Sequence, residues 1–577
     1  MKAEWIYKKN TTNTATIDEF SSKFNLSKIV SSILVNRGIE TIEQADLFLN
    51  PSLSNMKDPF LLKDMQKAVD RIWTAIRNKE KILIFGDFDA DGVTSTALLV
   101  DFFNYIDSDV SWYVPHRIKE GYGMREDHIR IAVEQNIDLI VTVDNGSSSL
   151  KAIEAAKIED IDVIITDHHE VPNPMPDCVA LINPKRQDCD SGLNHLAGVG
   201  VAFYLLMALR QHLRSMDFWQ EIQEPNLLDY CDLVALGTIG DMVPLKDENR
   251  ILSIHGIRVI KKGKRIGLKT LSDVSRIRIE NIDSDDIGFR LIPRINAAGR
   301  LSHARICVDH LTSKQRVLSA KTSSILDNLN QKRQKIEHEI IADINNKIEK
   351  NKKILDKKIL ILWDKNWNSA VLGIAASRLA RKYSKPTILL SSKEDPFVGS
   401  CRSIGAVDIH NILSEHSDLL ERFGGHAMAA GLTIKQESAD TFKKNMENYM
   451  ESNFLDDDFK KYVLIELDIS LHEITFELAR EISRLRPFGT DNPEPLFSCN
   501  HVRVASSIII GTNHRKMILV DDSHQFKKDN IIKNGIEALQ FNVPDLNDLP
   551  DYFNKIAFKI KENKFKKNAP QIILENI

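Results

Sequence analysis

Four places in this 577-residue chain put carboxylates where short apolar runs stop. KILIF (81–85) opens into GDFDADG, which sets Asp87, Asp89 and Asp91 at alternate positions. LIVTV (139–143) ends in Asp144, VIIT (163–166) in Asp167, His168 and His169, and LVALGTIG (233–240) in Asp241. A lone aspartate after a strand is ordinarily a helix cap or turn former, and a lone histidine is ordinarily structural. Caps, however, do not require adjacent imidazoles, and here four such endings recur. Carboxylates brought together repel, and some must take up a proton unless a cation lies between them. Oxygen ligands with one or two imidazoles and no thiolate suit Mn²⁺ or Mg²⁺ better than structural zinc. So many acids exceed the needs of one ion. Two ions roughly 3.5–4 Å apart, sharing a bridging carboxylate, would activate a water and stabilise both oxygens of an in-line displacement at phosphorus.

Such residues need elements that bring them together. From about 80 to 245, short apolar runs alternate with amphipathic stretches. That alternation predicts a parallel α/β sheet covered on both faces. The four acid-ended runs, LVALGTI included, are read as strands whose C-terminal ends share one edge, the ligand edge of open α/β folds. NHLAGVGVAFYLLMALRQHL (194–213) reads as a long apolar helix. Residues 312–351 are charged, periodic and free of proline and glycine, so a single connecting helix is predicted. A second, smaller α/β domain follows, from KKILILW (357–363) through PTILLSS (386–392) to GGHAMAAGLTI (424–434). After RPFGTDNPEP (486–495) come the β-rich segments HVRVASSIII, RKMILV and KIAFKIKE, which suggest a small barrel of OB type. The predicted division is an N-terminal helical segment (1–75), a catalytic domain (76–310), the connecting helix (311–352), the second α/β domain (353–455) and the barrel (456–577).

Composition narrows the function. With 42% hydrophobic and 27% charged residues the chain is ordinary globular material. No run approaches the ~20 apolar residues of a membrane span, and the first residues show no apolar signal region. Six scattered cysteines without a C-x-x-C pair argue against a zinc ribbon or a disulfide framework and fit a reducing cytoplasm. Basic (77) and acidic (81) residues nearly balance, so any nucleic-acid site must be a local patch.

GDFDADG, VDNG, DHH and GDMVP together resemble the DHH phosphoesterase superfamily, named for the triplet at 167–169. GSCRS (399–403) and GGHAMAAG (424–431) look like its associated phosphate- and nucleic-acid-binding domain. RPFGTDNPEPLF followed by β-rich sequence is similar to the branch of single-strand-specific 5′→3′ DNA exonucleases. The resemblance implies a metal-dependent hydrolase that degrades single-stranded DNA to nucleotide 5′-monophosphates in DNA repair and recombination. It assigns Asp87, Asp89 and Asp144 to one divalent ion (Mn²⁺ or Mg²⁺), and Asp91, Asp144, His168 and Asp241 to the other, with Asp144 as the bridge. Asp167 would orient a histidine, and His169 would contact the scissile phosphate. Asp-Phe-Asp at 87–89 replaces the family's usual Asp-Tyr-Asp, which removes a hydroxyl but no ligand.

The resemblance also places Arg117, Arg300, Ser400 and Arg402 around the 5′-phosphate, chemistry that suits a planar guanidinium fork. His426, between glycines that let a backbone approach a phosphate, is a further DNA contact. A passage too narrow for a duplex would select single strands. In KIAFKIKENKFKKN (555–568), lysines interleave with Phe558 and Phe565, a candidate stacking track in which Phe565 stands where the family more often has tryptophan. A single-strand-binding protein and a RecQ-type helicase are the implied partners, the implied state is monomeric and cytoplasmic, and no membrane is involved. Two other readings compete. A small-substrate phosphodiesterase of the superfamily would lack the RPFGTDNP junction and the barrel, and a non-catalytic relative would have lost ligands.

Overall fold

The computed structural model describes residues 4–8, 13–521, 535–543, 545–546, 549–563 and 566–576. Two compact units emerge. One comprises Trp5–Val114, Gly123–Ile292 and Val463–Ile577, and the other Met1–Glu4, Pro115–Tyr122 and Pro293–Tyr462.

The first unit holds an all-parallel sheet of β1 (Ile82–Phe85), β2 (Val110–Tyr113), β3 (Leu139–Val143), β4 (Asp162–Thr166) and β5 (Ala180–Ile182). Their order is β2-β1-β3-β4-β5. β1, β3 and β4 are the apolar runs read from sequence, and each is buried on both faces, as a helix-covered parallel sheet requires. β2 (VSWY), half-buried and interrupted by a serine, and β5 (ALI), only three residues long, were not anticipated. α1 (Ala90–Tyr105) follows β1 directly, and α2 (Gly198–Ser215) is the long apolar helix.

One strand assignment is wrong. LVALGTIG lies in α3 (Cys231–Asp241), a helix and not a strand. A short continuous apolar run has no period that separates a buried strand from a buried helix. α3 is buried from Cys231 through Thr238. It fits tightly because Gly237 lacks a side chain: a methyl there would lie 2.3 Å from Thr94 Oγ1 of α1 and 2.7 Å from Val199 of α2.

The same unit contains a closed barrel. Phe497–Ile510 pairs with His514–Asp521, then Ile536–Gln540, Pro570–Leu574 and Tyr552–Glu562, which returns to Phe497–Ile510. Helices Thr14–Phe24 and Lys28–Asn36 share its core, with Phe20, Val30, Ile33 and Leu34 packing in one cluster with Leu478, Phe497, Phe558 and Ile572. The stacking role read for Phe558 therefore fails. Its ring is fully buried, 6.2 Å from that of Phe497. The two-residue period of the strand puts Ile556, Phe558 and Ile560 inside and Lys559 and Lys561 outside. Those lysines pair with Glu575 (2.7 Å) and Glu494 (3.4 Å). Phe565 lies outside the described residues.

In the second unit, strands Leu360–Asp364 and Thr387–Ser391 run parallel, and Phe397–Arg402, Ala429–Ile434 and Arg422–His426 extend that sheet antiparallel. Helix Arg316–Lys350 lays Ile340, Ile344 and Ile348 against Val371, Leu372 and Ala375 of helix Ser369–Tyr383. No helix among the described residues is long and apolar enough to cross a membrane.

Candidate metal centre

GDFDADG is the turn from β1 into α1, and its three aspartates have different local duties. Asp89 is the N-cap of α1, its Oδ1 accepting from the amides of Asp91 (2.9 Å) and Gly92 (3.2 Å). Asp91, in the first turn and almost fully buried, accepts from the amides of Gly198 (2.7 Å) and Val199 (2.9 Å), which open α2. Asp87 is buried beside them. Asp144 leaves β3 in the left-handed region (φ 62°), which aspartate tolerates better than most residues. Gly198 makes room for it, since a methyl at Gly198 would lie 2.6 Å from Asp144 Oδ1.

The histidines arrive from β4. Asp167 accepts from the amides of Ser147 (2.9 Å) and His168 (2.8 Å), and its Oδ1 meets His169 Nδ1 at 2.8 Å. It therefore holds His169, whose ring is about one-third exposed. His168 points inward instead. Its Nε2 lies 3.1 Å from Asp144 Oδ1, 3.6 Å from Asp241 Oδ2 and 3.8 Å from Asp91 Oδ2. Both His168 Nε2 and Asp241 Oδ2 are buried without a hydrogen-bond partner among the described residues. Asp241 comes from the C-terminal end of α3, so helix and strand ends converge where four strand ends were predicted.

Three sets of ligand atoms each fall within 4.8 Å of one another: Asp87, Asp89 and Asp144; Asp91, His168 and Asp241; and Asp144, His168 and His169. Asp144 belongs to sets on both sides. Crowding shows in the proton affinities. Burial and then the Asp89 charge push Asp91 up to about 7. Burial and the charges of Asp91 and Asp89 push Asp241 up to about 9. Asp144 is raised well above the carboxylate range by burial and by the charges of Asp91, Asp89, Asp241 and Asp87. Burial, helped by the His169 charge, lowers His168 to about 3, leaving a neutral imidazole fit to ligate. For His169 burial works downward, but the Asp167 bond and charge, with Asp89 and Asp87, raise it. Burial likewise works to raise Asp167, yet its bonds to His169 and to the Ser147 amide hold it below the usual range. The donor set, with two buried and unsatisfied atoms, fits hard divalent cations.

Comparisons with known proteins agree. The profiles described as "DHH family, N-terminal domain", "DHHA1 domain" and "RecJ OB domain" match residues 81–238, 356–452 and 465–576. The single-stranded-DNA-specific exonuclease RecJ of Haemophilus influenzae is 35% identical over 92% of this chain and 93% of its own length. The chain belongs to the RecJ family. RecJ of Bacillus subtilis is 36% identical over 88% of this chain, which spans 63% of that longer protein. RecJ of Thermus thermophilus in complex with Mn²⁺ superposes with a TM-score of 0.81 at 26% identity, covering 99% of this chain and 79% of that one. The same protein has been solved with Mg²⁺ (TM-score 0.76, 25% identity, covering 99% and 78%).

The remaining expected site residues of this RecJ-family chain all lie in the second unit. Arg300 donates to the carbonyl of Ala370 (2.9 Å), in the first turn of helix Ser369–Tyr383. Arg402 donates to Ser400 Oγ (3.2 Å) and the Cys401 carbonyl (2.7 Å). A methyl at Gly373 would lie 2.8 Å from both Arg402 Nη2 and Ser400 Oγ, so this glycine lets them reach the helix. Burial lowers the affinity of Arg402 for its proton, Cys401 opposes this, and the Arg117 charge lowers it further, so the two guanidiniums feel each other's charge. Guanidiniums and a hydroxyl around a helix N-terminus are groups whose chemistry suits an anion. His426 stands apart from them in the sheet: Arg402 pairs with Ala429, and Ala429 with His426, one strand farther on.

Sequence reasoning missed several contributors. The Gly198 and Val199 amides that hold Asp91 had a faint signal in the glycines of AGVG. Asn183, just after β5, donates to the His169 carbonyl (2.8 Å) and Ser147 Oγ (3.0 Å), and the Lys185 charge reaches His168 and Asp241. Both escaped because β5 itself was not read.

Proposed function

We propose that this RecJ-family chain is a metal-dependent exonuclease that removes nucleotides from the 5′ end of single-stranded DNA and releases 5′-monophosphates. The observation that carries the reading is the convergence of His168 Nε2 and Asp241 Oδ2, buried and unsatisfied, with Asp91 and Asp144. Asp87, Asp89 and Asp144 would hold one divalent ion, and Asp91, Asp144, His168 and Asp241 a second. Ions held there would supply Lewis-acid polarisation of a phosphodiester and a water of lowered pKa.

The chain's own groups supply the rest. Gly198 and Val199 amides fix Asp91, and the left-handed turn at Asp144 aims one carboxylate at both ligand sets. Asp167, held ionised by its hydrogen bonds, accepts from His169 Nδ1 and so turns Nε2 outward. The Asp167 bond and charge raise the proton affinity of His169, which suits its ring to donate a proton to a phosphate oxygen or to the departing oxygen. Arg300, Ser400, Arg402 and Arg117 bind the terminal phosphate, which gives the reaction its polarity. His426 contacts the strand farther along. The cytoplasm, DNA repair and recombination, a single-strand-binding protein, a RecQ-type helicase and a monomeric state complete the proposal. It is supported by family membership and by both sets of residues residing in one chain.

The test is digestion of single-stranded DNA labelled at one end, with Mn²⁺ or Mg²⁺ and with a chelator. Prompt release of the 5′-terminal mononucleotide, only with metal, is expected. Release from the 3′ end, or cleavage confined to dinucleotides, would place the function in another branch of the superfamily.

A further inference from the structure

Two histidines flank the arginines of the second unit and have no assigned role. His116 precedes Arg117, and His303 lies three residues beyond Arg300. Their rings meet edge to face, with centroids 5.7 Å apart and planes at 85°. Each ring also holds its own backbone. His116 Nδ1 accepts from the amides of Ile118 (3.2 Å) and Lys119 (3.4 Å), while the His116 amide donates to the Glu120 carboxylate. His303 Nδ1 accepts from the Arg305 amide (3.2 Å). An imidazole nitrogen accepts a hydrogen bond only when it carries no proton. In this arrangement both rings are therefore neutral, with the proton on Nε2.

We propose that His116 and His303 are positioning residues of the phosphate pocket. As a neutral pair they tie the loop bearing Arg117 to the helix end bearing Arg300, and protonation opens the tie. The proposal rests on the reading of that pocket as a 5′-phosphate site. Protonating either Nδ1 turns an acceptor into a donor aimed at backbone amides, and protonating both sets like charges against each other. The charged side chains that act on His303 are Glu120, Arg305 and Lys119. Burial and the His116 charge lower the His303 proton affinity, Glu120 raises it, and Arg305 and Lys119 lower it further. His303, lowered in this way, is thus neutral in neutral and alkaline solution, and end recognition should fade once the pH is low enough to charge its ring.

The test compares binding of single strands bearing a 5′-phosphate or a 5′-hydroxyl, by fluorescence anisotropy with the full chain and a chelator to prevent cleavage. The ratio of the two Kd values is the selectivity, followed from pH about 8 to about 5.5 across the histidine range. The second ionisation of the 5′-phosphate, near 6, falls in this window but is common to every protein compared. In H116N/H303N the amide oxygens keep local acceptors, as in Asx turns, yet do not titrate. This variant keeps the two local turns but not the ring contact, so it should start below wild-type selectivity at the alkaline end and, relative to its own alkaline value, lose about fivefold less at the acid end. H116A/H303A should lose selectivity about fivefold at every pH, and H303A alone serves if the double variant does not fold. The proposal is overturned if the asparagine variant follows the wild-type pH response, or if alanine leaves alkaline selectivity intact. A wild-type protein without 5′-phosphate selectivity at any pH would instead remove the pocket reading, and this proposal with it.

Discussion

Two helix starts in this molecule do opposite work. α2 opens with the amides of Gly198 and Val199 against Asp91, so its positive end meets an acid of the same chain. Helix Ser369–Tyr383 opens beside Arg300, Ser400 and Arg402, so its positive end is reinforced by more positive charge. In the first case the helix dipole helps keep a carboxylate in a crowd of carboxylates, a crowd that a metal would complete. In the second, dipole and guanidiniums add up to a demand for an anion from outside. Each start has a glycine at its tightest contact, Gly198 against Asp144 and Gly373 against Arg402 and Ser400. The difference shows that a helix terminus has no function by itself, because the side chains brought to it decide whether it stabilises a ligand set or recruits a substrate.

Substitutions break this contrast one side at a time. Asp144→Ala removes the carboxylate common to two ligand sets and should cut turnover by about 10⁴ or more, with strand binding almost unchanged. Near-normal turnover in a nuclease assay would refute the two-ion assignment. Gly198→Ala forces a methyl against the Asp144 carboxylate and should weaken Mn²⁺ binding by about 10–100-fold in calorimetric titration. Arg402→Ala acts on the other helix: affinity for a 5′-phosphorylated strand should drop about tenfold, with kcat largely kept. An unchanged preference between phosphate and hydroxyl ends would count against the pocket. Gly373→Ala meets only the mobile tips of Arg402 and Ser400, which can swing aside, so a loss of about threefold in the same binding assay is expected. If Gly373→Ala proved as damaging as Gly198→Ala is to metal binding, the two starts would be equally rigid and the contrast would weaken.

The sheet and its acids were legible because β1, β3 and β4 are buried on both faces and so appear as unbroken apolar runs that stop abruptly. The same signal misled at α3, where burial all round erases helical periodicity, yet Asp241 still reached the cluster because it follows the last buried turn. Phe558 was misjudged for a related reason. An aromatic among lysines looks exposed in sequence, whereas strand alternation places the lysines outside and the ring in the barrel core. The helix start at Ser369 left only its capping Asn368 as a sign, and a cap by itself does not mark a site. Arg300, Ser400 and Arg402 were assigned to a phosphate pocket only through their resemblance to a family pattern.

The core shared by Phe20, Val30 and Ile33 with Phe497, Phe558 and Ile572 has a consequence during synthesis. The helices carrying Phe20, Val30 and Ile33 leave the ribosome with an apolar face whose partner strands are made more than 450 residues later. At ~5–20 residues per second, that face waits roughly half a minute to two minutes for its cover. Throughout that interval it is a surface that chaperones can hold and other nascent chains can stick to. These two distant segments thus finish folding together, and the yield of intact protein depends on how well the cell protects the helices until the strands arrive.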